Sequence, residues 1–283
     1  MGYRLNKFLA EFKKGTFNSQ ILDLNEDDLT DKDIVVLAAV LKQNPIGIKE
    51  IYLNDNKIKD NDALLLADAI AEMKELNSLK LSRNRISVLG ASALIDKGQF
   101  KKLNLSSNLM RNGEIDAPKS CKYFEELDLS DCRLETKSIS RMMKKVKVAK
   151  LNLDCNYFDN TIFDVLSAIE ELVEISLEQN RISCNEESKE SLSRFLETNN
   201  VLQVLNLTNN NINDKGVLLL TEKIKDHPTL KDLGLGSNRI EETGLKILQT
   251  LSKIKIDTSF NPGSDDSKAF FELRLSPAKK NLM

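Results

Sequence analysis

The sequence predicts an α/β solenoid, with a parallel sheet on its concave side and helices on its convex side. Three observations predict it. A short apolar pattern recurs along nearly the whole chain. Within each copy the apolar residues alternate with period two, as in a strand. Between copies they fall three and four apart, as on one face of a helix.

The copies read LDLNED at 22–27, IYLNDN at 51–56, LKLSRN at 79–84, LNLSSN at 103–108 and LDLSDC at 127–132. They continue with LNLDCN at 151–156, ISLEQN at 175–180, LNLTNN at 205–210 and LGLGSN at 233–238. A degenerate tenth copy is IDTSFN, 256–261. An earlier apolar position is filled by Ile48, Leu76, Phe100, Phe124, Val148, Leu172, Leu202 and Leu230. Nine copies in order, 24 to 30 residues apart, are a repeat architecture.

Helices are expected at 60–73, 160–171 and 214–226, each after an Asp or Asn cap. The 24-residue repeats have less room for one. The segment 111–123 contains Gly113 and Pro118 and is expected to form no regular helix. Strands stack about 4.8 Å apart, whereas helices are about 10 Å wide, so the stack must bend with its strands inside.

The shared pattern L-x-x-L-x-L-x-x-N-x-I/L resembles that of leucine-rich-repeat proteins of the ribonuclease-inhibitor-like type, over roughly 19–262. The resemblance implies the horseshoe fold and an interaction module. Three divisions are expected: an N-terminal helical cap at 1–18, the repeats at 19–262, and a C-terminal cap and tail at 263–283. An open solenoid exposes its core at both ends. Leu5, Phe8, Leu9 and Phe12 would cover one end, and Phe270, Phe271 and Leu273 the other.

The last position of the pattern holds Asp27, Asn56, Asn84, Asn108, Cys132, Asn156, Asn180, Asn210 and Asn238. Where the strand turns away, backbone groups are buried without ladder partners. A carboxamide both donates and accepts, so it can satisfy them in every repeat. These residues are structural, and Cys132 is a weak substitute.

The alternate positions of each strand face the concave side. Near the strand ends they carry Asp23, Glu26, Asp55, Asp128, Asp131, Asp154 and Glu178, opposed by Lys80 and Arg83. Asp128, Asp131, Asp154 and Glu178 are expected to form one acidic patch in mid-sheet, which reads either as a solvated concave face or as a docking surface for a basic partner. Lys102, Glu126, Lys150 and Glu174 recur every 24 residues and would form a lateral ion-pair ladder. A rim column follows each asparagine, with Lys57, Arg85, Arg133, Arg181 and Arg239 among its residues. Arg133 and Arg181 are candidate contacts there, and Tyr52 is the candidate aromatic anchor.

Composition excludes other classes. The formal net charge is −2, unlike a dedicated nucleic-acid binder. No apolar run is long enough to span a membrane, and MGYRLNKFLAEFKKG lacks a signal-peptide core. Cys121, Cys132, Cys155 and Cys184 share no metal-binding spacing, and free thiols suit a reducing compartment. The one histidine, His227, has no nucleophile to serve. No enzyme activity, cofactor or metal is expected.

The expectation is therefore a monomeric, cytoplasmic, non-enzymatic module that binds a protein partner, with no nucleic acid and no membrane. The resemblance also implies two alternatives. One is a bacterial effector secreted into the host cytoplasm, in keeping with an AT-rich codon signature of 31 Lys and 27 Asn. The other is a GTPase-activating regulator. Relatives of that kind carry a long acidic C-terminal tract, and this chain ends SPAKKNLM.

Overall fold

The computed structural model describes residues 2–43 and 47–266. The chain opens with helix α1 (Tyr3–Lys13) and strand β1 (Ile21–Asp23). Strand–helix units follow: α2 (Asp31–Leu41), β2 (Glu50–Tyr52), α3 (Asp60–Ile70), β3 (Ser78–Lys80), α4 (Val88–Lys97) and β4 (Lys102–Asn104). The middle holds β5 (Lys122–Asp128), α5 (Thr136–Met143), β6 (Val146–Asn152), α6 (Ile162–Leu166) and β7 (Glu174–Ser176). The last part holds α7 (Lys189–Thr198), β8 (Val204–Asn206), α8 (Asp214–Ile224), β9 (Asp232–Gly234), α9 (Glu242–Leu248) and β10 (Lys255–Asp257).

All ten strands form one parallel sheet in sequence order. The register matches the repeat: Ile51 pairs with Leu79, Leu79 with Leu103, Leu103 with Leu127 and Leu127 with Leu151. In the first nine copies both apolar residues of the L-x-L pattern point into a single core, where Leu127 and Leu129 are buried together with Ile139 and Met142 of α5. The degenerate tenth copy supplies β10, which pairs with β9.

The repeat length decides how much helix forms. Helices α3 and α8 end at Ile70 and Ile224, slightly before the predicted limits. The predicted helix at 160–171 is only Ile162–Leu166. A 24-residue repeat must return to its next strand at Glu174, so little chain remains for helix. Between β4 and β5 there is no helix, as Gly113 and Pro118 led one to expect.

Helix starts are tied to their neighbours. Asp60 begins α3 and accepts the Ser87 and Gly90 N–H groups at the start of α4, at 2.7 and 3.1 Å. Asp214 does the same for Glu241 before α9, at 2.8 Å. Each carboxylate meets helix N–H groups that lack an intrahelical partner.

At the N-terminal end, α1 covers the core with buried Leu5 and Phe8. The predicted residues Phe270, Phe271 and Leu273 lie outside the described residues.

Candidate functional site

The strand ends are built by the asparagine column. Asn84 donates from Nδ2 to the Leu53 and Leu81 carbonyls, and its Oδ1 accepts the Ile58 N–H. Asn56, Asn108, Asn180, Asn210 and Asn238 repeat this arrangement. Asn261 continues it in the tenth copy, donating to Leu235 at 2.8 Å. All these side chains are buried, so each bond replaces water that cannot enter.

Two positions depart from asparagine, each with a local cause. Asp27 adjoins α1 rather than another strand turn. Its carboxylate accepts the Arg4 and Leu5 N–H groups at 2.9 and 2.8 Å, which caps the helix. Gly2 lies so close to Asp27 that a Cβ there would overlap the carboxylate. Cys132 reaches the Leu105 carbonyl with its thiol at 3.3 Å but offers no carboxamide oxygen. The Met110 N–H therefore bonds the Cys132 backbone carbonyl at 3.1 Å. In both repeats the following rim residue is left-handed, Asp28 at φ 50° and Arg133 at φ 58°. None of the rim residues that follow a column asparagine is left-handed.

A second regularity was not read from the sequence. The residue before each column position is left-handed in all ten copies: Glu26, Asp55, Arg83, Ser107, Asp131, Cys155, Gln179, Asn209, Ser237 and Phe260, with φ between 51 and 57°. No glycine occupies it. Asp and Asn tolerate this conformation better than most residues, which gives Asp55 and Asp131 a backbone reason for being there.

The concave polar residues are also strand terminators. Asp128 Oδ1 accepts the Ser130 N–H at 3.0 Å, and Asn104, Asn152 and Asn206 make the same turn. Lateral bonds join the strands, with Asn104 donating to Asp128 at 2.9 Å and Asn206 to Glu178 at 3.3 Å.

Asp128, Asp131, Asp154 and Glu178 do gather at the ends of β5–β7. Asp154 accepts the Glu178 N–H at 2.7 Å, and Ser107 donates to Asp131 at 3.0 Å. Burial pushes the Asp154 carboxyl up; hydrogen bonds from Ser176 and Glu178 work against this, while the Glu178 and Asp128 charges add to it. Beside it, burial also raises the Cys155 thiol, and the Asp154, Asp131 and Glu178 charges raise it further. Among the described residues, none of the four acids forms an ion pair, whereas Asp55 is paired to Arg83 and Asp23 to Arg4.

The predicted ladder is interrupted. Lys102 pairs with Glu126 and Lys150 with Glu174, each at 3.0 Å. No pair joins Glu126 to Lys150, although they are register partners. Each lysine reaches forward one strand, so the column closes as two separate pairs. A depression of about 400 Å³ lies over Lys80, Lys102, Asn104 and Glu126, and one of about 290 Å³ over Glu126, Asp128, Lys150 and Glu174.

Tyr52 is half-buried and engaged within the chain. Its hydroxyl donates to Glu50 at 2.5 Å, and Lys80 lies 4.2 Å from the ring centre. The Glu50 hydrogen bond, then burial, push its pKa up to about 12. Arg133 and Arg181 are exposed on the rim, Arg181 stacked 4.4 Å from the Tyr157 ring centre. His227 is away from these groups. Its Nε2 meets the Asn199 carbonyl at 3.2 Å and its Nδ1 accepts the Leu230 N–H at 3.2 Å.

The leucine-rich-repeat family profile matches two segments, 75–94 and 198–220, which cover β3 with most of α4 and β8 with most of α8. With that match, the ten-strand register and the asparagine column agree. The chain folds as a leucine-rich-repeat solenoid. A Bacteroides fragilis protein of known crystal structure superposes with a TM-score of 0.50 over 90% of this chain and 73% of its own, at 17% identity. That likeness is one of fold. No curated protein matches the chain. Among the described residues, no helix of this leucine-rich-repeat chain is long and apolar enough to cross a membrane. Repeats of this family generally serve as protein-interaction modules.

Proposed function

We propose that the chain is a non-enzymatic interaction module that binds a partner protein through its concave sheet face and rim, with Asp128, Asp131, Asp154 and Glu178 receiving a basic surface. The observation that carries this reading is electrostatic. Among the described residues the four adjacent carboxylates have no cationic partner, while Asp55, Glu126 and Glu174 nearby are paired. Like charges on a curved face focus their field and steer a cationic partner. Arg133 and Arg181 border the patch on the rim.

The test is capture of partners at physiological salt by the native protein and by D128N/D131N/D154N/E178Q. Amides keep the acceptor oxygens that cap Ser130 and Glu178, so the strand ends should survive. A partner captured by the native protein and lost by the variant supports the concave site. A partner retained in full by a folded variant removes it.

A further inference from the structure

The nine arginines among the described residues divide into two groups. Arg4, Arg83, Arg141 and Arg194 each pair with a carboxylate. Arg85, Arg111, Arg133, Arg181 and Arg239 are exposed and form no ion pair among the described residues. Four of these five occupy the rim column, and Arg111 lies two residues beyond rim residue Leu109. Unpaired guanidinium groups are therefore concentrated on one edge of the molecule.

Their spacing is regular. Arg85 follows β3, Arg133 follows β5, Arg181 follows β7 and Arg239 follows β9, so one stands at every second strand. Backbone bonds fix three of the four arginines: the N–H groups of Arg85, Arg181 and Arg239, with that of Tyr157, donate to Ile58, Phe158, Ile212 and Leu134, one repeat back, while Arg133 is left-handed and stands outside this bonding. Strands about 4.8 Å apart place these arginines about 10 Å from one another. Between the first three stand exposed apolar side chains, Leu109 at 54% and Tyr157 at 36% of full exposure, with one face of the Tyr157 ring covered by Arg181 and the other left for a partner.

Among extended backbones, one geometry fits this alternation. A polyproline II segment has three residues per turn and rises about 3.1 Å per residue, so every third side chain falls on one side about 9 Å apart. In a β-strand, residues three apart point to opposite sides. Prolines pack on aromatic and apolar surfaces, and carboxylates pair bidentately with arginine. Asp131, Asp154 and Glu178 inside the rim repel a continuous polyanion such as a nucleic acid, which carries a charge at every unit.

We propose that the rim from Arg85 to Arg239 binds an acidic polyproline II segment with a carboxylate at every third residue. Arg85, Arg133, Arg181 and Arg239 take the carboxylates, and Leu109 and Tyr157 take the intervening prolines. The proposal rests on the rim being part of the interaction surface, and it names the partner that the rim takes.

The probe is a fluorescein-labelled peptide of five Glu-Pro-Pro units, followed by anisotropy at physiological salt with the full chain. Binding is expected, at least tenfold weaker for R85Q/R133Q/R181Q/R239Q. It should be unchanged for K144Q/K145Q/K223Q/K225Q, which removes the same charge away from the rim. Y157A should weaken it with no change in charge. The D128N/D131N/D154N/E178Q protein should bind as well or better, so failure of the concave site and failure of the rim site are distinguishable. No binding would overturn the proposal, as would equal loss in both charge variants. So would equal affinity for a peptide with its five glutamates contiguous or for a single-stranded oligonucleotide.

Discussion

Between β2 and β4 each turn of the solenoid carries a helix, α3 of 11 residues and α4 of 10. Between β4 and β7 the turns carry none, then 8 residues in α5 and 5 in α6. The middle fills the same core by other means. Strands β5 and β6 lengthen to 7 residues and share six register pairs, where β2 and β3 share three. Bulky Phe124, Phe158 and Phe163 are fully buried there, where α2 and α3 offer Ala38, Ala63 and Ala67. Helix content can vary between repeats because any apolar filling closes the convex side. The asparagine column varies little, because a buried N–H or carbonyl must be met by a directed bond.

Within that column the two regions differ at Cys132, and the largest expected effect is beside it. Asn156 bridges both sides of the defect: it donates to Leu129 and Leu153 and accepts from Cys132 and Leu134 N–H groups at 3.1 and 2.9 Å. Asn156→Ala is expected to cost about 3 kcal/mol in urea unfolding, more than Asn84→Ala, which frees one N–H instead of two. Equal costs would show that the substitution at Cys132 leaves its neighbour's role unchanged.

The converse change should repair the middle. Cys132→Asn is expected to stabilise by about 1 kcal/mol, by supplying an acceptor for the Met110 N–H and letting Arg133 leave its left-handed conformation. A destabilised variant would mean that the local backbone has adapted to the thiol.

The smallest effect is a difference in pH response. Asp154 in the middle has a folded pKa raised above 3.8, so the native state takes up a proton before the unfolded chain does. Stability from this group rises as pH falls through its folded pKa towards 3.8, and Asp154→Asn should remove the rise. His227, between α8 and β9, has a folded pKa held below 6.5, chiefly by burial. Its contribution is present above pH 6.5 and is lost as pH falls below it, so His227→Gln should flatten that part of the profile. Midpoints of urea unfolding between pH 3.5 and 7.5 would show both slopes. Identical profiles for the variants and the native chain would refute both assignments.

The repeat, the strand positions, the column and its weak member Cys132 were legible in the sequence, because each is a local pattern that recurs at a fixed spacing. The gathering of Asp128, Asp131, Asp154 and Glu178 was legible too, since parallel strands in register bring equal positions side by side. The internal clasp on Tyr52 was less so. Glu50 and Lys80 reach it from its own and the next strand, and both choose among several rotamers. The break in the ion-pair ladder is of the same kind: Lys150 faces Glu126 and Glu174 equally in sequence, and only side-chain direction selects Glu174.

By itself, then, the sequence determined the solenoid, its strand order and which residues enter the core, because apolar periodicity and directed backbone bonding act over a few residues. The tertiary structure alone decided which charges remain unpaired. Pairing depends on distances of a few ångströms between side chains from different repeats, and a linear pattern does not contain them. The arginine row shows the division: its spacing is written in the repeat, but that Arg85, Arg133, Arg181 and Arg239 find no carboxylate among the described residues is settled only when the strands are stacked.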